Sequence, residues 1–230
     1  MLEVCVDTIQ AAILAQRAGA DRIELCSALD LGGVTPSGPL VAAVRSAITV
    51  PLIVLIRSRA GDFQYEALEC ELMIQEANQA IECGADGIAI GGLTASRDLN
   101  IPFLLAVLNA LPKCQLVMHR AFDQVRDPLT ALEKLIDLGF TRILTSGGPE
   151  MAIDGVENLR RLSERAQARI EILPAGGVAP ANAEEILAKG FAIQLHGSFR
   201  APIQRKDKNS VRLPDPIAIG RTKAILAAID

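Results

Sequence analysis

GADRIELC, residues 19–26, decides the fold of this 230-residue chain. Gly19 ends a helical stretch where a left-handed backbone is wanted, and an alternating strand follows at once. The junction returns three times. Gly84-Ala85-Asp86 leads into Gly87-Ile88, Gly139-Phe140-Thr141 into Arg142-Ile143, and Gly190-Phe191 into Ala192-Ile193. Working outward, strands are expected at 2–6, 22–26, 51–57, 87–91, 115–119, 142–145, 169–174 and 192–196. Helices are expected at 8–18, 37–47, 65–83, 101–111, 128–138, 155–167, 181–189 and 220–229. Strict alternation calls for parallel strands covered by helices. The four glycine junctions precede strands two, four, six and eight. A fourfold βαβα repeat in a chain of this length predicts an α/β protein, a single (β/α)8 TIM barrel over 1–230. The competing open Rossmann-like sheet lacks its G-x-G-x-x-G turn after the first strand. Segment 201–216, with three prolines and several charges, reads as an irregular excursion before the last helix.

Composition narrows the function. Half of the residues are apolar, enough for a substantial core, while only 3% are aromatic and the net charge is −4. Neither phosphate neutralisation nor base stacking has the side chains it needs, so nucleic acid is not an expected partner. The greasiest stretch, Ile48 to Ile56, is broken by Pro51 and is too short for a membrane span. A strand starting at Leu2 leaves no room for a signal peptide. Five cysteines, an odd number without a C-x-x-C pair, point to reduced thiols and a cytoplasmic protein. A homodimer through the helical faces is the expected assembly.

In a barrel of this kind the chemistry sits at the C-terminal ends of the strands. Strands one and two carry matching pairs there, Glu3-x-Cys5 and Glu24-x-Cys26, and alternation puts each pair on one face. Leu2, Val4, Val6, Ile23 and Leu25 take the opposite, apolar face, so the Glu/Cys faces are expected to point into the lumen. The two histidines, His119 and His196, both fall at strand ends. Buried carboxylates need partners, and Arg57 is the expected cation of a Glu/Arg network. Taken singly, each cysteine reads as a small apolar filler. Two at matching heights on neighbouring strands, with histidines nearby, read as a site. Cys70, Cys83 and Cys114 read as structural.

A second constellation is rich in glycine: Ser146-Gly147-Gly148 after strand six, Gly176-Gly177 after strand seven, and Gly197-Ser198 after strand eight. Backbone N–H groups of such loops cradle anions, because no side chain blocks their approach. Arg57, Arg59 and Arg120 add positive charge, with Arg120 expected to turn towards the helices.

These stretches together resemble the CutC copper-homeostasis proteins. The matching words are LEVCVDT at 2–8, GADRIELCSALDLGGVTPS at 19–37, IRSRAGDF at 56–63, MHRAFDQVRDP at 118–128, RILTSGG at 142–148 and HGS at 196–198. Ser58 and Ala60 stand where the family usually has proline and glycine. The resemblance implies a cytoplasmic (β/α)8 barrel linked to copper tolerance, with Cys5 and Cys26 matching the cysteines proposed to bind Cu(I). Thiolates suit that soft ion, and a neighbouring histidine such as His119 would complete a low-coordinate site. No exposed Met-x-Cys or Cys-x-x-Cys loop is present for rapid handover, so storage or sensing fits better than transfer.

Two functions therefore stand side by side. One is Cu(I) binding through Cys5 and Cys26. The other is a metal-independent enzyme acting on a small phosphorylated or carboxylated metabolite. There His119 serves as general acid/base, Glu24 and Glu3 orient substrate or act as base, and Asp123 positions His119 or Arg57.

Overall fold

Eight strands and eight helices alternate without exception in the computed structural model, which describes residues 1–190, 192–200 and 211–229. The strands are β1 (Leu2–Val6), β2 (Arg22–Leu25), β3 (Leu52–Leu55), β4 (Gly87–Ile90), β5 (Gln115–Met118), β6 (Arg142–Thr145), β7 (Glu171–Pro174) and β8 (Leu195–Gly197). The helices are α1 (Ile9–Arg17), α2 (Gly38–Ala47), α3 (Ala67–Glu82), α4 (Ile101–Ala110), α5 (Pro128–Asp137), α6 (Val156–Ala166), α7 (Pro180–Gly190) and α8 (Pro216–Ile229).

Local chemistry sets the helix ends. Thr8 caps α1 by accepting from Ala11 N, and Asp127 caps α5 by accepting from Leu129 N and Thr130 N, with Pro128 at the first helical position. Gly19, Gly84 and Gly139 close the preceding helices with φ of +106°, +98° and +76°. Those values favour glycine, and the expected junction motif is thereby explained.

All ladders are parallel, in the order β7-β6-β5-β4-β3-β2-β1-β8. The architecture is a (β/α)8 TIM barrel, nearly closed: every neighbouring pair is laddered except β7 and β8. A fully closed cylinder was the expectation, and the reason for the difference lies in β8. Its pairing begins at Leu195 rather than at 192, because Ile193 points to solvent, 72% exposed. Across that seam Gln194 Nε2 donates to Glu171 Oε2 at 3.1 Å, so a side chain replaces the missing ladder. Helix α8 starts at Pro216, four positions before the expected 220. The excursion at 201–216 lies, over 201–210, outside the described residues. Residues 211–215 approach the barrel through an antiparallel bridge between Arg200 and Pro214.

The strands have two distinct faces. Leu2, Val4, Val6, Ile23 and Leu25 pack outward into the apolar layer under the helices, essentially without solvent contact. Inside lie Cys5, Cys26, Ile53, Leu55, Ala89, Val117, Leu144, Leu173 and Ala175. Below this plug, at the N-terminal end of the barrel, runs a polar belt. Arg22 donates to Glu3 and, at 3.0 Å, to Gln194 Oε1. Arg142 donates to Glu171 Oε2 at 2.6 Å and to Gln115 Oε1 at 3.4 Å. Gly87 leaves room for the belt, since a Cβ there would lie 2.7 Å from the Gln115 carbonyl oxygen. The apolar middle layer separates most of this floor from the mouth, and Glu3 joins the two through His196 Nδ1, 2.7 Å away.

Candidate functional site

At the C-terminal mouth a cavity of about 260 Å³ opens, lined by residues that include Cys5, Glu24, Cys26, Arg57, His119 and His196. The register brings the first part together. Cys5 on β1 pairs with Glu24 on β2, and Glu3 pairs with His196 on β8. The Cys5 and Cys26 sulfurs lie 3.9 Å apart, both buried and both free thiols. Cys26 also points at the Val6 carbonyl oxygen, 3.5 Å away. The ligand atoms of Cys5, Glu24 and His196 all fall within 4.8 Å of one another.

These groups set one another's charge. Burial pushes the Glu3 carboxyl up, but the His196 hydrogen bond and the Arg22 charge outweigh it and hold Glu3 at about 2. His196 Nδ1 sits 2.7 Å from Glu3 and its Nε2 3.7 Å from Glu24. Burial alone would lower the imidazole's pKa; the Glu3 bond and the Glu24 charge raise it above the ordinary value. Glu24 is pushed up by burial and by the Glu3 charge, against the opposing pull of His196. The Cys26 hydrogen bond and burial push the Cys5 thiol well above its ordinary range. Without a cation, Cys5 stays protonated at neutral pH.

His119 occupies a different corner. Its Nδ1 accepts from Ala121 N at 3.2 Å, which leaves the proton on Nε2. That Nε2 is buried and has no acceptor among the described residues. Burial and the nearby Arg57 charge hold the imidazole at about 3, so it is neutral at any physiological pH. A general base with a pKa near neutrality was the expectation; the surroundings make His119 a hydrogen-bond donor instead. Phe63 contacts both it and Arg57, its ring centroid 5.0 Å from the imidazole and 4.8 Å from the guanidinium carbon.

Arg57 does not join the carboxylates. Its Nη groups donate to the carbonyls of Gly32, Gly33 and Gly61. The cation that neutralises Glu3 is Arg22, one layer deeper. Sequence carried that signal in Arg22-x-Glu24, which alternation places on one face. Asp123 also serves other partners than expected. It accepts from Arg120 Nε at 2.8 Å, Ser146 N at 3.0 Å and the Thr145 hydroxyl. Arg120 in turn donates to Ser146 Oγ and the Glu150 carbonyl, and it lines the cavity rather than the helices.

The glycine loops divide. Gly176, Gly177, Gly197 and Ser198 line the mouth cavity. Gly147 and Gly148 instead line a separate hollow of about 230 Å³ with Phe122, Asp123 and Asn158. Ser146 is fully buried, its hydroxyl turned to the Pro149 carbonyl. Met151 lies over Gly177, where a Cβ would fall 1.8 Å from the methionine methyl. A rim of three cooperating loops is therefore not what forms.

Fold and mouth together define a (β/α)8-barrel protein with a buried cavity of thiols, carboxyls and imidazoles. The chain belongs to the CutC family, whose profile matches residues 1–201. It is 41% identical over 201 residues to the human copper homeostasis protein cutC homolog, covering 87% of this chain and 74% of that one. A family protein CutC from Xanthomonas campestris pv. campestris (strain 8004) is 41% identical over 202 residues, 88% of this chain and 84% of the relative. The crystal structure of CutC from Streptococcus agalactiae superposes with a TM-score of 0.82 at 31% identity, covering 86% of this chain and 98% of the other. Among the described residues no helix is long and apolar enough to cross a membrane.

Proposed function

We propose that this protein serves copper homeostasis by holding Cu(I) between Cys5 and Cys26 at the barrel mouth. The observation that carries this reading is the 3.9 Å sulfur separation of two buried, free thiols. With metal–thiolate bonds of about 2.3 Å, that span corresponds to an S–metal–S angle of roughly 115°, close to trigonal. A trigonal site takes a third ligand, and the imidazole beside Cys5 is His196 rather than His119. Soft sulfur donors with one imidazole favour Cu(I) over hard cations. The names of the family relatives support the same role.

The burial of both thiols favours storage or sensing over fast handover, since a partner protein has no exposed sulfur to attack. The five free cysteines fit a reducing cytoplasm. We read the chain as one barrel domain over 1–230, and Leu68 and Leu72 on α3, exposed with Leu105 on α4, support a homodimer.

Titration of the reduced protein with Cu(I) against a competing chelator tests the site. The parent is expected to take up one ion, more tightly as pH rises, because Cys5 must lose its proton to bind. Cys5→Ser with Cys26→Ser is expected to abolish uptake. Undiminished affinity in the double variant would refute the assignment.

A further inference from the structure

The Arg57 corner of the mouth cavity carries an imbalance that the copper reading leaves untouched. Arg57 is 7% exposed; its Nη groups donate to backbone carbonyls and a further polar neighbour is the Tyr65 hydroxyl, all of them neutral. Among the described residues no carboxylate pairs with it. Beside it, His119 is 3% exposed and holds a buried Nε2–H without an acceptor. Arg57 Nε is likewise buried without one. An unpaired buried cation and an unsatisfied buried donor are each costly, and natural interiors seldom keep both in one place. Both residues line the same cavity. Each defect would be cured by one object, a negatively charged oxygen.

We propose that this corner is a binding site for a small carboxylate, one oxygen of which accepts from His119 Nε2–H while its charge balances Arg57. Phe63 touches both donors, with the Arg57 guanidinium over its ring and the His119 imidazole tilted at 44° to it, and so helps fix where each sits. A singly charged carboxylate fits better than a phosphate dianion for three reasons. Gly147 and Gly148 face another hollow, Met151 covers Gly177, and Arg120 is already engaged by Asp123, Ser146 and Glu150. The nest of N–H groups that a phosphate requires is thus incomplete. Glu24, which lines the same cavity, also disfavours a second negative charge. The ligand class is therefore a short organic acid, such as a 2-oxo or 2-hydroxy acid, small enough for about 260 Å³.

The chain has only two histidines, so imidazole 15N resonances report the site directly. Metal-free, reduced protein labelled at histidine nitrogen is titrated with sodium pyruvate, and separately with inorganic phosphate and with sodium chloride. Pyruvate is expected to shift the His119 Nε2–H resonance saturably. Calorimetry should show His119→Phe weakening pyruvate binding about tenfold, as loss of one hydrogen bond to a charged group does. Arg57→Gln should weaken it roughly 30-fold or more. If Arg57→Gln does not fold, Arg57→Lys keeps the charge, and the retained binding it predicts takes over the test. Three results overturn the proposal: no saturable shift, an equal shift with chloride, or tighter binding of phosphate, read by calorimetry, that leaves the His119 resonance unmoved. The assay contains no copper, so its failure leaves the Cu(I) reading standing, and loss of the Cu(I) site leaves this one standing.

Discussion

The floor and the mouth of the barrel treat charge in opposite ways. On the floor, Arg22 meets Glu3, Arg142 meets Glu171, and Gln194 and Gln115 link them into one belt. At the mouth, among the described residues, Arg57 meets only neutral groups, His119 Nε2 has no acceptor, and two thiols face each other. The belt reads as structure, because each of its cations meets a carboxylate and Gln194 closes the unladdered seam between β7 and β8, although Arg142 Nη1 is buried without an acceptor among the described residues. The mouth reads as function, because its groups await a partner. Strand alternation supplies both layers from the same side of the sheet, and only the partners distinguish them.

That contrast can be broken by mutation, and the largest effect is expected on the floor. Arg22→Met leaves the buried Glu3 with His196 as its remaining partner and should cost about 3 kcal/mol in urea-unfolding experiments. A loss under about 1 kcal/mol would mean that the belt is not load-carrying and that the contrast fails.

Next comes the pH dependence of stability. His119, held at about 3 by burial and Arg57, prefers to be neutral in the fold, while the unfolded chain takes up a proton near its ordinary pKa of about 6.5. Stability is therefore expected to fall as pH drops from about 6.5 towards 3, by a few kcal/mol in all. His119→Asn should flatten that slope. Glu3, held at about 2, contributes stability that is present above the unfolded carboxylate pKa of about 4.3 and lost as pH falls towards 2. The His119 slope therefore starts at higher pH, and the two are separable in acid titrations followed by circular dichroism. An unchanged slope in His119→Asn would show that the histidine is not kept neutral by its surroundings.

The smallest effect is expected from Arg57→Met in the metal-free protein. It removes hydrogen bonds to three carbonyls but also an unpaired buried charge, so a cost of no more than about 1–2 kcal/mol should appear in the same unfolding assay. A cost equal to that of Arg22→Met would place Arg57 in the structural class with the floor.

Much of this was legible in the amino-acid order. The Gly-Ala-Asp junctions located the helix ends, and period-two alternation placed Glu3, Cys5, Glu24 and Cys26 in the lumen, as the coordinates have them. Pairing was harder to read, because register is a property of two strands at once. Glu3 lies opposite both Arg22 and His196, and nothing within one strand announces that. Arg57 looked like the carboxylates' partner because it ends a strand, yet β3 sets it a layer higher, among the carbonyls of Gly32 and Gly33. The glycine loops misled for a similar reason. Their composition suits an anion cradle, but Met151, remote from Gly177 in sequence, decides whether the cradle is open. The seam at β8 escaped notice because Ile193, apolar and suited to a strand, turns out to solvent.

X-ray absorption at the copper edge of the Cu(I)-loaded protein tests the mouth most directly. Two sulfur neighbours at about 2.3 Å with one lighter N/O neighbour is the expected first sphere. A copper environment of nitrogen and oxygen alone would contradict the assignment of Cys5 and Cys26.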